Sequence, residues 1–265
     1  MDVFEAFKNT QKQSWANFAP IEMITMIAAP RLVKFAGVKA GQKVLDSGCG
    51  TGVVAVTAAR LGAKVSGLDL TPELLERSRQ NSQLAGVEVD WREGDVEKMP
   101  FADGEFDAVL SQFGHMFAPQ PLVAVGEMLR VLKPGGTIAF STWPPDLFMG
   151  RMFSLIASYM PPPPPGVAPP VQWGDQTVIR QRLGSGVTGI AFDTGLMRSP
   201  ALSPAHFRAA TEQTVGPLIK LVEMLGPSDP ARLAKFRGEY EAAIAPYFED
   251  NAVQQAFVMT RATKI

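Results

Sequence analysis

Short apolar runs alternate along the first half of the chain with longer stretches whose apolar positions recur every three or four residues. The runs 43–45, 63–68, 87–92, 106–111 and 137–142 have the length and branched content of strands buried on both faces. Between them, 53–61, a stretch opened by Thr71-Pro72-Glu73, and 121–132 carry apolar residues at helical spacing. Strand and helix in alternation predict a doubly wound α/β domain. Ahead of it, Phe4, Phe7, Trp15, Phe18, a mostly apolar run 21–27 and a helix opened by Pro30 predict a helical segment over 1–36. It either packs on the sheet or covers the site as a lid.

Beyond residue 143 the pattern changes. A helix is expected at 147–160, then a stiff spacer made of the proline run 161–165 and a loop to 172, through which no helix can run. The run could alternatively be an SH3-type ligand. Helices follow at 173–183, after Ser203-Pro204, at 214–225 and at 230–245, with strands at 187–196 and 252–263. The expected organisation is a core over 37–143, a cap over 144–250 that includes the sixth strand, and a final strand within 251–265.

The first strand ends in Val44-Leu45-Asp46-Ser47-Gly48-Cys49-Gly50-Thr51-Gly52. Its glycines allow tight turns and close approach of a ligand, which the loop would deliver to the open amides of the next helix. A dinucleotide site uses G-x-G-x-x-G, whereas the spacing here is G-x-G-x-G with Val53 at the place of the last glycine. Asp46 would also repel a pyrophosphate while suiting a cationic ligand. Asp69 falls about twenty positions beyond the loop, where such folds place a ribose-binding carboxylate. The other reading is a bare acid at a strand end. Thr71 is the expected N-cap of the following helix, with Pro72 at its first position.

The string V-L-D-x-G-C-G-T-G resembles motif I of the class I S-adenosylmethionine (SAM) methyltransferases. The run G-D-V-E-K-M-P-F-A-D-G-E-F-D-A-V-L from Gly94 resembles the second signature of their ubiquinone/menaquinone-biosynthesis-like branch, and L-R-V-L-K-P-G-G-T-I-A-F is common to the class. The resemblance implies a Rossmann-like seven-stranded doubly wound sheet, with six parallel strands, an antiparallel last strand and helical cap insertions. It implies SAM as cofactor and S-adenosylhomocysteine as product. The implied cofactor-binding residues are Asp46, Gly48, Cys49, Gly50, Gly52, Asp69, Leu70, Asp95, Val96, Ser111 and Gln112. Within that set, Asp95 would bond the adenine amine and the Val96 amide a ring nitrogen.

The loop after the fourth strand, Gln112 to Ala118, would lie beside the methyl sulfonium. His115 there is either a general base or a side chain bonded to backbone or lining the cofactor, and Gly114 would let the loop pass close to the ligand. Trp15, Phe18, Phe113, Trp143 and Trp173 are the candidate substrate contacts. Trp143-Pro144-Pro145-Asp146 looks like the D/N-P-P-aromatic motif of DNA and protein amide methyltransferases, but it follows the wrong strand in the wrong order and is set aside.

Composition narrows the acceptor. A net charge of −1 gives no footprint for nucleic acid. No apolar stretch is long enough to span a bilayer, and the first residues lack signal-peptide order. The single cysteine, Cys49, excludes an internal disulfide and a multi-cysteine metal site, and reads either as a small residue in a crowded turn or as a reactive thiol. No metal site is expected. The expectation is a cytoplasmic enzyme, monomer or homodimer, methylating a small apolar or aromatic acceptor at O, N or C. The alternatives are a lipid-headgroup or amine N-methyltransferase, a SAM-binding protein without transfer activity and, more remotely, an NAD(P)-dependent oxidoreductase.

Overall fold

Residues 3–265 are described by a computed structural model. Met1 and Asp2, part of the expected N-terminal segment, lie outside the described residues. At the centre stands β1 (Lys43–Ser47), whose Val44 and Leu45 are fully buried. Parallel neighbours β2 (Lys64–Asp69) and β4 (Phe106–Gln112) flank it, and β3 (Val89–Glu93) and β5 (Leu132–Thr142) extend the sheet outward in the same sense. A long antiparallel strand, β8 (Ala252–Lys264), lies between β5 and β6 (Val187–Pro200). The order is β3-β2-β1-β4-β5-β8-β6, with the two-residue β7 (Phe248–Glu249) paired to β8 off this path. On that path six strands therefore run one way and β8 opposes them, as the resemblance implies. The order reverses between β1 and β4, which in a doubly wound sheet opens a crevice at the strands' carboxyl ends.

Helices α3 (Ala29–Ala36), α4 (Val53–Arg60) and α6 (Pro121–Val131) pack on the sheet and share its core with Leu68, Val109 and Ile138, while α5 (Pro72–Leu84) packs beside β2 and β3. Two further helices, α1 (Val3–Trp15) and α2 (Glu22–Thr25), cross above the strand ends. The chain after β5 builds a second apolar core. In it α7 (Phe148–Tyr159), α9 (Pro204–Thr214), α10 (Gly216–Ser228) and α11 (Pro230–Ile244) bury Phe148, Leu218, Phe236 and Tyr240 over the start of β8. α8 (Gln176–Leu183) returns to the sheet core through Ile179 and Leu183.

Several boundaries differ from the sequence expectation for local reasons. β3 starts at Val89, because Gly86 takes φ 66° and Val87 N–H closes the end of α5 on Ser82 O. α8 starts only at Gln176, where the Asp175 carboxylate accepts from the amides of Thr177 and Val178. Trp173 lies in the preceding 3-10 turn instead. β5 starts at Leu132 rather than 137, so Lys133 to Gly136 belong to it, with Gly135 at φ 76°. Thr71 makes no side-chain cap, and its amide donates to Asp69 Oδ1 instead.

Candidate active site

A cavity of about 370 Å³ lies over the carboxyl ends of the central strands. Asp46, Asp69 and Asp95, which end β1 and β2 and follow β3, line it together with Gly48, Cys49 and Gly50. Gln112 at the end of β4, Phe113 just after it and Trp143 just after β5 continue the floor, and α1, α2, α7 and α9 form the roof.

The glycine loop is held mainly by its own protein. Gly48 and Cys49 amides both donate to Leu68 O, at 2.8 and 2.9 Å. The Gly50 amide donates to Asp69 Oδ2 at 2.7 Å, Gly52 to Cys49 O at 2.9 Å and Ala55 to Asp46 Oδ2 at 3.0 Å. The expected row of open amides is thus mostly filled, and two of its acceptors are carboxylates. A pyrophosphate would meet anions where it needs donors. The third glycine serves packing: a Cβ on Gly52, at φ 80°, would stand 2.4 Å from the Trp91 ring, and Gly52 does not line the cavity.

Burial dominates the electrostatics. The Asp46 carboxyl is 1% exposed and burial pushes it up to about 7, opposed by the Ala55 amide and aided by nearby Asp69. Burial also raises Asp69, although the amides of Thr71 and Gly50 pull the other way. The Cys49 thiol is driven well up by burial and by both carboxylates, so it stays a thiol and the reactive-thiolate reading is withdrawn. Paired carboxylates short of counter-charge in a closed crevice make a seat for a cation.

The roof is tied down by charge. Lys8 on α1 bridges Asp95 and Glu97, and Lys12 reaches Glu93. Glu22 on α2, 5% exposed, pairs with Arg77 and accepts from Asn81, whose side chain also donates to Thr51 O in the loop. Trp15 packs on Phe117 at 4.6 Å and Phe18 at 5.7 Å, and all three face the cavity. Gln112 Nε2 donates to Thr25 O at 2.8 Å, joining β4 to α2.

Phe113 holds φ 59°, a conformation costly for a bulky side chain, and is clamped flat against Trp143 with centroids 4.0 Å apart and planes 9° apart. The reversal at Phe113 turns the following residues. His115 is 0% exposed, does not line the cavity, and lies between Phe140 and Trp173 at 4.6 and 4.7 Å. Neither ring nitrogen has a partner among the described residues, and burial, aided by Arg182, drives its pKa down to about 3. A base must reach the acceptor, so the general-base expectation for His115 is withdrawn. Trp173 shares that burial at 1% exposure and is no substrate contact. Ser111 also leaves the cofactor set: its hydroxyl donates to Ser47 O at 2.6 Å and accepts from the His115 amide at 3.0 Å.

His115 instead carries an acid sensitivity. Between pH 6.5 and about 3 the unfolded imidazole holds a proton that the folded one does not, so stability is lost as pH falls through that window. His115→Leu is expected to flatten this acid limb in urea melts at pH 4 and 7, with SAM affinity changed less than about twofold. A variant as acid-sensitive as wild type would contradict it.

Of the remaining sequence candidates, Leu70, Val96, Gln112, Trp15, Phe18, Phe113 and Trp143 all line the cavity. Lys8, Met149, Met152, Phe153, Ser199 and Gln255 line it as well and carried no motif.

A methyltransferase-domain family model matches residues 45–140. An uncharacterised protein of Mycobacterium tuberculosis is 34% identical over 264 residues, covering 98% of this chain and 96% of that one. A ubiquinone biosynthesis O-methyltransferase of Xanthomonas campestris is 42% identical over 103 residues, 38% of this chain and 43% of that one. Among solved structures, a Bacillus halodurans protein proposed to be a methyltransferase superposes with a TM-score of 0.60 at 21% identity, covering 88% of this chain and 97% of that one, which speaks for the fold. The matched model, set in this sheet order beside a glycine loop with its row of carboxylates, identifies residues 45–140 as a methyltransferase domain in a Rossmann-like methyltransferase fold.

Proposed function

We propose that this protein transfers a methyl group from SAM to a small apolar or aromatic acceptor by in-line displacement, releasing S-adenosylhomocysteine. The observation that carries the reading is the alignment of Asp46, Asp69 and Asp95 along one cavity beside a loop whose amides are largely occupied. SAM, when bound, supplies a methyl group activated by its sulfonium. In this reading Asp46 holds the cationic amino-acid end, Asp69 the ribose, and Asp95 with the Val96 amide the adenine. Lys8 then shares Asp95 with the ligand while keeping Glu97, which fastens α1 over the cofactor. Phe113, Trp143, Trp15 and Phe18 exclude water and align the acceptor, favouring a reaction in which charge is neutralised.

The Asp46 seat makes cofactor binding pH-dependent. With its pKa near 7 the carboxyl is mostly protonated at pH 6, and a cation binds the ionised form. SAM affinity is expected to rise about eightfold from pH 6 to 7.5, with proton release, and Asp46→Asn to flatten the rise. A flat wild-type profile by calorimetry would remove Asp46 from this role. Transfer itself is tested with methyl-tritiated SAM and a small-molecule extract. Label is expected in the organic phase, whereas label left wholly in SAM by saturated protein would mark a binder without transferase activity.

A further inference from the structure

Resting on the methyltransferase reading, we propose that Gln255 and Ser199 form an anchor for one uncharged polar group of the acceptor, and that the chamber beside them rejects charged acceptors. The sheet order lays the cavity out in sequence: Asp95, Asp69 and Asp46 lie on the β3, β2 and β1 side, Phe113 and Trp143 directly follow β4 and β5, and Gln255 and Ser199 lie on β8 and β6. The charged side chains lining the cavity among the described residues, Lys8, Asp46, Asp69 and Asp95, are all at the cofactor side.

The far end is polar without being charged. Gln255, 6% exposed, donates through Nε2 to Ser199 Oγ at 2.6 Å, and Ser199 is 1% exposed. With that bond made, the pair retains Gln255 Oε1 as its main acceptor and two donors, the second Nε2 hydrogen and the Ser199 hydroxyl. Such a pair matches an amide or hydroxyl, whereas a carboxylate, phosphate or ammonium would be buried there without a counter-charge. β8 stands two strands from β4, about 10 Å at ordinary strand spacing, so the anchor suits an acceptor about as long as a substituted bicyclic ring.

The test uses S-adenosylhomocysteine-loaded protein titrated with 2-naphthamide, 2-naphthoate and naphthalene. The amide is expected to bind about fivefold tighter than the hydrocarbon, and the carboxylate on the order of a hundredfold weaker than the amide. Gln255→Met should erase the amide's advantage with S-adenosylhomocysteine affinity unchanged, and Ser199→Ala should reduce it independently. Naphthoate binding as tightly as the amide, variants that keep the preference, or no binding of any probe to the loaded protein would overturn the anchor alone. Failure of S-adenosylhomocysteine to bind at all would instead overturn the methyltransferase reading beneath it.

Discussion

Asp69→Ala is expected to weaken SAM and S-adenosylhomocysteine binding by at least about a hundredfold, because the proposed ribose contact is two charge-assisted hydrogen bonds to the diol. The carboxylate also organises its own surroundings, with Oδ2 accepting from Gly50 at 2.7 Å and Oδ1 from Thr71 at 2.9 Å. Removing it leaves both amides without their acceptor and loosens the turn, at a cost of about 2 kcal/mol in stability. Relief of a buried charge offsets part of that cost, so the variant should remain folded. Calorimetry at 15 °C, with circular dichroism on the same sample, separates the two effects. Folded protein that binds within about tenfold of wild type would contradict the ribose role.

Gly114→Ala is the second large effect. Gly114 sits at φ −87°, open to any residue, so its backbone conformation does not demand glycine. Space does: a Cβ there would lie 2.3 Å from Gly48 O and 2.9 Å from Gly48 Cα. The contact is backbone on backbone, and only separation of the cofactor loop from the β4 loop would relieve it. The substitution should cost about 3 kcal/mol and abolish transfer, because the proposed reaction needs both loops in place. Gly50→Ala is the control: φ is 56° but nothing lies within 4 Å of the added Cβ, so only conformational strain of about 1 kcal/mol is expected. Urea unfolding of both variants checks the order, and equal costs would contradict the close-approach argument.

The core strands and the carboxylates at their ends were legible, because a buried parallel strand writes a continuous apolar run and an acid at its end breaks the pattern. The orientation of the β4 loop was not. Phe113 adopts a left-handed conformation that no propensity favours, and alternation beyond it no longer tells which way His115 points. The third glycine of the loop carries the motif spacing, yet its reason lies forty residues on, in the Trp91 ring that fills the space beside it. Lys8 carried no motif, and its role shows only when α1 is laid over Asp95 and Glu97. Gln255 did leave a trace. Val253, Gln255, Phe257 and Met259 form the buried alternation of β8, and a glutamine on that face is a polar residue in need of a reason.

The most direct test of the central claim is calorimetric titration of the purified protein with SAM, S-adenosylhomocysteine and NADH. Micromolar binding of the first two with no heat from NADH is the predicted result. Binding of NADH alone would contradict the account, since it would require a pyrophosphate to sit against Asp46 and Asp69.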